Sequence, residues 1–346
     1  MLSLNAYFPL HLDSKKAEQG PGAGVGAVDI PGVRRIPESC LPQPLLDLNK
    51  QFTKQFIDNG RENINADGIL VNTFDALEPA ALAALRDGKV VPGFPFPPVY
   101  AIGPLRSVVD KEDSSSSSPV VAWLDKQPAR SVVYVAFGNR SAVSHAHIRE
   151  IAAGLEASGC RFLWVLKTTK VDRDDTAELT DVLGEGFLER LHQQQGQGQG
   201  QGQHGMVTKE WVDQEALLKH ASVGLYLSHS GWNSVTEAAA AGVPLLAWPR
   251  GGDHRVNVRH GRGERRRRGV DGALELGRGG LAGDRGGDRG ESKGGHVRRG
   301  GQGKGDEDRR GSGHGRRRGW HQLPEHAAVC FKPQESNLRT LTRTTI

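Results

Sequence analysis

Residues 211–254 read WVDQEALLKHASVGLYLSHSGWNSVTEAAAAGVPLLAWPRGGDH, and their apolar spacing sets out helix, strand, helix and strand in turn. The first helix runs from Asp213 to His220. Val223 to Ser228 is short and nearly all apolar, as expected of a strand covered on both faces. A second helix spans about Asn233 to Ala241 and stops at Gly242, after which Val243 to Ala247 returns to strand. Strands alternating with helices at this spacing predict an open α/β sheet.

The same alternation extends upstream. Ser131 to Phe137 is a continuous apolar run closed by Gly138. Ser144 is placed to cap a helix in which Ile148, Ile151, Ala152 and Leu155 keep helical spacing, and Gly159 is placed to end it. Phe162 to Leu166 is the next strand, completing a βαβ unit, and Met206 to Trp211 a further one. Between them, residues 193–205 (QQQGQGQGQGQHG) read as a low-complexity surface loop. Nearer the start, a strand is expected over 68–72, a helix over 78–86 and a turn-rich passage over 91–104. The charged, serine-rich stretch 106–119 has no periodicity and suits an exposed linker. The expected divisions are a first unit over 1–104, a linker over 105–119, a Rossmann-like unit over 120–257 and a low-complexity tail over 258–346.

Charge follows that division. The chain carries a formal +5, yet residues 258–319 alone hold 18 Lys and Arg against 9 Asp and Glu. The basic balance therefore belongs to the tail, and the folded part has no electrostatic call for nucleic acid or an acidic membrane. Residues 258–319 have 21 Gly and 16 Arg among 62 and no aromatic, so nothing there builds a core and disorder is expected. Cys40, Cys160 and Cys330 are far apart, which suits a reducing compartment. The start, MLSLNAYFPLHLD, lacks a positive n-region and a cleavage site, and no run of 18 apolar residues exists, so a soluble cytoplasmic protein without a membrane span is expected.

In an open α/β sheet, ligands sit beyond the carboxyl ends of the strands. His229-Ser-Gly-Trp-Asn-Ser234 lies at such an end and leads into a helix, where free N–H groups and the helix dipole favour a phosphate. Gly231 lets the backbone approach. His229, Asn233 and Ser234 add side-chain donors, although Asn233 and Ser234 would also serve simply as helix caps. Trp211 offers a flat face to an aromatic base or else fills the core. Glu237 follows Asn233 by one helical turn, where its carboxylate can accept both hydroxyls of a ribose or else point to solvent. Asp253 and His254, after another strand end, can read sugar hydroxyls.

Taken together, Trp211, Gln214, His220, His229, Gly231, Trp232, Asn233, Ser234, Glu237 and Asp253 match in register the signature box of the plant UDP-dependent glycosyltransferases. ILVNTFDALEP (69–79), WLDKQPARSVVYVAFG (123–138) and GLEASGCRFLWVLK (154–167) extend the resemblance. The wording is most similar to cereal C-glucosyltransferases that act on 2-hydroxyflavanones. The resemblance implies a GT-B fold, here one largely intact Rossmann-like donor domain with the remnant of an acceptor domain. It implies Trp211 stacked on uracil, the Val212 backbone on the base edge, and Gln214 and Glu237 on the ribose. His229, Asn233 and Ser234, with the Gly231 backbone, would hold the diphosphate; Gly138 and Asn139 would add phosphate contacts. Trp232, Asp253 and His254 would face the sugar. The donor implied is UDP-glucose or UDP-galactose and the acceptor a flavonoid or other phenol, with no cofactor and no metal.

Four departures shape the expectation. Asn139 stands where relatives carry a small hydroxyl residue, which alters one phosphate contact, and His254 stands where they carry Gln, leaving glucose against galactose open. The family's catalytic His and Asp would fall upstream of Met1; His11 lies in an unrelated context, so the chain as written is expected to be inactive. The turn to Gly and Arg after about Asn257 is what GC-rich coding sequence gives when read out of frame. The competing readings are a UDP-sugar-binding fragment without catalysis, and RNA binding through the Arg/Gly-rich tail.

Overall fold

The computed structural model describes residues 1–20, 22–105, 118–138, 143–168, 177–193, 204–259 and 330–331. Two units share the chain. The first opens with α1 (Leu2–Gln19), which buries Leu4, Phe8 and Leu12 at helical spacing against α2 (Gln51–Glu62). Phe8 meets Phe56 of α2 edge to face at 5.7 Å. Gly60 makes the approach possible, since a Cβ there would stand 2.2 Å from the Asn5 carbonyl oxygen. Neither helix follows from the sequence reading. α1 carries Pro9 and has no side-chain cap, and α2 is polar over most of its surface. β1 (Ile69–Val71), α3 (Pro79–Arg86) and β2 (Val99–Ala101) complete the unit, with β1 and β2 paired in parallel.

The second unit begins with α4 (Pro119–Leu124). Then come β3 (Val132–Ala136), α5 (His145–Ser158), β4 (Arg161–Val165), α6 (Leu179–Leu183), α7 (Glu185–Gln193) and β5 (Gly205–Thr208). α8 (Gln214–Lys219), β6 (Val223–Ser228), α9 (Trp232–Ala241), β7 (Leu245–Ala247) and β8 (Cys330–Phe331) follow. The sheet order is β5-β4-β3-β6-β7-β8, parallel except for β8, which runs antiparallel on β7. All five residues of β3 are buried, as its unbroken apolar run requires. Ser144 caps α5 by accepting the His147 N–H, and Gly159 ends it at φ 63°, both as the sequence predicts.

Some boundaries move. The strand expected over 206–211 ends at Thr208, which puts Trp211 on the loop before α8. Pro119 is already helical, because proline suits a first helical position, and Gly205 belongs to β5. Residues 254–259 are helical, a turn that runs through residue 257. Within that turn Val256 packs into the first unit's core, while Arg255 Nη1 and Arg259 Nε donate to the carbonyls of Ser39 and Arg35 at 3.0 and 2.6 Å. The linker core 106–117, the Gln/Gly insert 194–203 and tail residues 260–329 and 332–346 lie outside the described residues. Among the described residues no helix is long and apolar enough to cross a membrane.

Candidate functional site

Strand order reverses between β3 and β6, so their carboxyl ends form the crevice where open α/β sheets bind ligands. Gly138 follows β3 and His229 follows β6, two steps past the paired Ala136 and one past Ser228. The imidazole of His229 lies in a slot between two glycines. A Cβ on Gly138, itself at φ 72°, would stand 2.9 Å from His229 Nε2, and one on Gly231 only 2.5 Å. His254 meets the same ring edge-on, with centroids 4.7 Å apart.

Both rings are neutral near neutral pH. Burial, reinforced by the nearby His254, holds the His229 pKa down to about 4, and burial lowers that of His254 as well. His254 Nδ1 faces the backbone N–H groups of Arg250 and Gly251 at 3.3 and 3.2 Å. Accepting from them places its proton on Nε2 and makes that nitrogen a donor.

Gly231 is the N-cap of α9, with φ −61°, ψ 151° and no side-chain capping bond. Asn233 and Ser234 are therefore not caps; they stand at the second and third helical positions. The first-turn amides have no intrahelical partner and form a ready anion site. Ser230, just before the cap, takes a left-handed backbone at φ 68°. Asn233 is exposed, and Ser234 is buried with its Oγ 3.2 Å from the Tyr226 hydroxyl oxygen; that phenol gives its one proton to Gln214 over the shorter 2.8 Å contact, so Ser234 is the donor of the pair.

On the other side of α9, Gln214 Nε2 donates to Glu237 Oε2 at 2.5 Å. Gln214 Oε1 in turn accepts from Tyr134 at 3.1 Å and Tyr226 at 2.8 Å. These tyrosines are register partners on β3 and β6, stacked at 4.8 Å. Burial raises the Glu237 pKa, and the Gln214 bond works against it. Trp211, on the loop before α8, is 65% exposed, so its ring is a free face and not a core residue. Val212 is partly buried beside the second unit's core.

Trp232 Nε1 donates to the Asn72 carbonyl at 2.5 Å, tying α9 to the first unit. Asp253 is half-buried at the far rim, its carboxylate bonded to Asn257. The structure thus brings Gly138, His229, Gly231 and His254 together at the crevice, with Asn233 and Ser234 on the first turn of α9, Asp253 next to His254, and Gln214 bonded to Glu237; Trp211 stays exposed on the loop before α8. Asn139 lies outside the described residues. His220, in register with the signature box, is elsewhere: it sits beside the amino end of β6 and bonds Ser222 and Asp125. His11 is buried against the Val25 carbonyl at 2.7 Å. Tyr134, Tyr226, Asn72 and Asn257 escaped the sequence reading. The tyrosines alone left a signal, as hydroxyls inside otherwise apolar strands that call for a buried partner.

Comparison with known proteins gives the family and the fold. The family model described as UDP-glucoronosyl and UDP-glucosyl transferase matches residues 70–266. The chain is 60% identical over 257 residues to UDP-glycosyltransferase CGT of Oryza sativa subsp. japonica, a match covering 74% of this chain and 51% of that protein. UDP-glycosyltransferase 708A6 of Zea mays is 56% identical over 258 residues, covering 75% and 52%. The chain thus spans about half the length of the curated relatives it matches. Among solved structures, LpCGTa in complex with UDP superposes with a TM-score of 0.55 at 46% identity, over 75% of this chain and 50% of that one. UGT2 of Phytolacca americana, complexed with UDP-2fluoro-glucose and pterostilbene, gives 0.58 at 31% identity, over 74% and 52%. The fold is therefore of the GT-B type, and the chain belongs to the UDP-glucoronosyl and UDP-glucosyl transferase family.

Proposed function

We propose that this chain is the donor-holding part of a plant UDP-dependent hexosyltransferase acting on flavonoid-like or other phenolic acceptors. The observation that carries the reading is the first turn of α9, whose amides have no intrahelical partner, at the β3/β6 crevice, with the Gln214–Glu237 pair on the same helix. In this reading Trp211 stacks on uracil and the Val212 backbone meets the base edge. Gln214 and Glu237 hold the ribose. His229, Asn233, Ser234 and the Gly138 and Gly231 backbone hold the diphosphate, while Trp232, Asp253 and His254 face the hexose. The donor is UDP-glucose or UDP-galactose; His254 Nε2–H, a donor only, stands where the sugar hydroxyls would be read. No cofactor or metal has a role in it.

The Phytolacca americana relative, complexed with both UDP-2fluoro-glucose and pterostilbene, supports a phenolic acceptor. Similarity to the rice protein named CGT supports transfer to carbon. The free thiols of Cys40 and Cys160 suit a cytoplasmic setting. Deprotonating a phenol needs a positioned base. Among the described residues the two histidines at the crevice, His229 and His254, are assigned to the donor, so donor binding without transfer is the expected behaviour of this chain alone. Calorimetric titration with UDP tests the reading. Saturable binding that weakens at least about tenfold in Trp211→Ala supports it, since base–aromatic stacking is worth ~1–3 kcal/mol; no binding at millimolar UDP overturns it.

A further inference from the structure

We propose that Asn257 is a positioning residue that locks the diphosphate loop and the sugar-facing acid into one unit. The inference rests on the donor-site reading above and adds to it a residue outside the signature box. Asn257 is 3% exposed and lies one helical turn beyond Asp253. Its single amide nitrogen makes two bonds, one to the Ser230 carbonyl and one to Asp253 Oδ2, each at 3.0 Å. The two hydrogens of one NH₂ group are fixed in a plane, so its two acceptors are fixed relative to each other.

What those acceptors belong to gives the bond pair its meaning. Ser230 is fully buried and held at φ 68°, a conformation that non-glycine residues seldom take without outside support. Its N–H is taken by Ser228 Oγ at 3.1 Å, and its carbonyl by Asn257. That geometry turns the chain from the end of β6 into the Gly231 cap, and so aims the free amides of α9. Asp253 follows β7, the next strand over, and carries the carboxylate assigned to the hexose. Asn257 therefore joins two strand ends that have different ligand contacts. Filling one side favours the geometry of the other, so the hexose of a UDP-sugar gains affinity only while this amide is in place. A mere packing role would weaken both parts of the ligand alike.

The test uses the full chain with UDP and UDP-glucose as probes, together with amide hydrogen exchange at Ser230, whose N–H is held by Ser228 Oγ. In Asn257→Ala, exchange at Ser230 should rise, and UDP-glucose should lose about tenfold in affinity, more than UDP does, because buried acceptors are left without a donor. Equal losses for the two ligands, or unchanged exchange, overturn the proposal. Should Asn257→Ala fail to fold, Asp253→Ala substitutes a half-exposed residue instead. It frees one arm of the bridge and should raise exchange at Ser230; unchanged exchange there overturns the coupling. Absence of any nucleotide binding by the parent chain would count against the donor-site reading alone, because the exchange measurement still decides whether Asn257 fixes the loop.

Discussion

The indole N–H of Trp232 donates to the carbonyl of Asn72 across the seam between the two units, at 2.5 Å. Asn72 holds its place through its own side chain, whose Oδ1 accepts the Leu105 N–H at 2.9 Å and whose Nδ2 lies 3.4 Å from Asn233 Oδ1. The first turn of the anion-binding helix is thereby attached to the loop after β1. Trp232→Phe keeps most of the ring but leaves the Asn72 carbonyl without its donor. Thermal unfolding should fall by a few degrees, from a loss of about 1 kcal/mol, with UDP affinity nearly unchanged. An unaltered midpoint would show that the bond adds nothing to stability.

The slot around His229 leads to a second prediction. Gly231 has an ordinary φ, so alanine is allowed there on backbone grounds, but its Cβ would meet the imidazole at 2.5 Å. In Gly231→Ala the ring must move away from the crevice. UDP should then bind about tenfold more weakly, the scale of one hydrogen bond to a charged group, while uridine, having no diphosphate, should bind as before. Parallel losses for both ligands would mean that the ring does not serve the diphosphate.

The two phenols below Gln214 set the direction of its amide. Burial raises the Tyr134 pKa and pushes Tyr226 up to about 12, so both remain donors at any physiological pH. Both point at Gln214 Oε1, which turns its NH₂ group toward Glu237. Tyr226→Phe removes one of these donors and the bond to Ser234 together. Titration should show UDP affinity down by about three- to tenfold, for a loss of ~1 kcal/mol. A variant that binds like the parent would leave the tyrosine pair with packing alone.

The pH dependence of stability follows from His229. Its folded pKa of about 4 lies below the ordinary 6.5, so between those values the unfolded chain takes up a proton that the native chain refuses. Stability is therefore full above pH 6.5 and falls as pH drops toward 4, by up to roughly 3 kcal/mol for this residue; His254, also lowered, acts in the same sense. Glu237 has the opposite sign: its raised pKa favours the native state at acid pH, and that contribution disappears as pH rises through the raised value. Chemical denaturation from pH 7 to 4 should show a shallower decline in His229→Asn than in the parent. Identical slopes would place the acid sensitivity elsewhere.

Much of the donor crevice was legible because its parts are local. A strand end, a glycine and the first turn of a helix follow one another in the chain, so 229–234 announces its geometry directly. Relations across the fold were not. Asn257 acts on Ser230 through an amide 27 residues away, and Asn72 acts on Trp232 over 160, distances at which sequence spacing carries no information. Trp211 was expected at a strand end, but the strand stops at Thr208 and the ring gains its exposure from the loop. α1 and α2 were missed for a different reason. Their packing depends on a glycine contact and a few aromatic side chains, not on a broad apolar stripe.

One surface remains that the donor site does not use. Leu70 and Tyr100 are register partners on β1 and β2, Leu70 being 68% exposed and Tyr100 53%, and Ile102 and Leu105, shortly after β2 in the chain, are exposed as well. Apolar side chains grouped in this way drive association, because covering them removes area from water at ~25 cal/mol per Å². The pair stands on a two-stranded sheet whose exposed residues lie away from the buried Val99, so substitution should not disturb the core. The sedimentation coefficient of the parent should rise with concentration, that of Leu70→Lys combined with Tyr100→Thr should rise less, and UDP binding should be unchanged, since neither side chain is assigned to the donor. Association that persists at the same concentration in the double variant would rule this pair out as its cause.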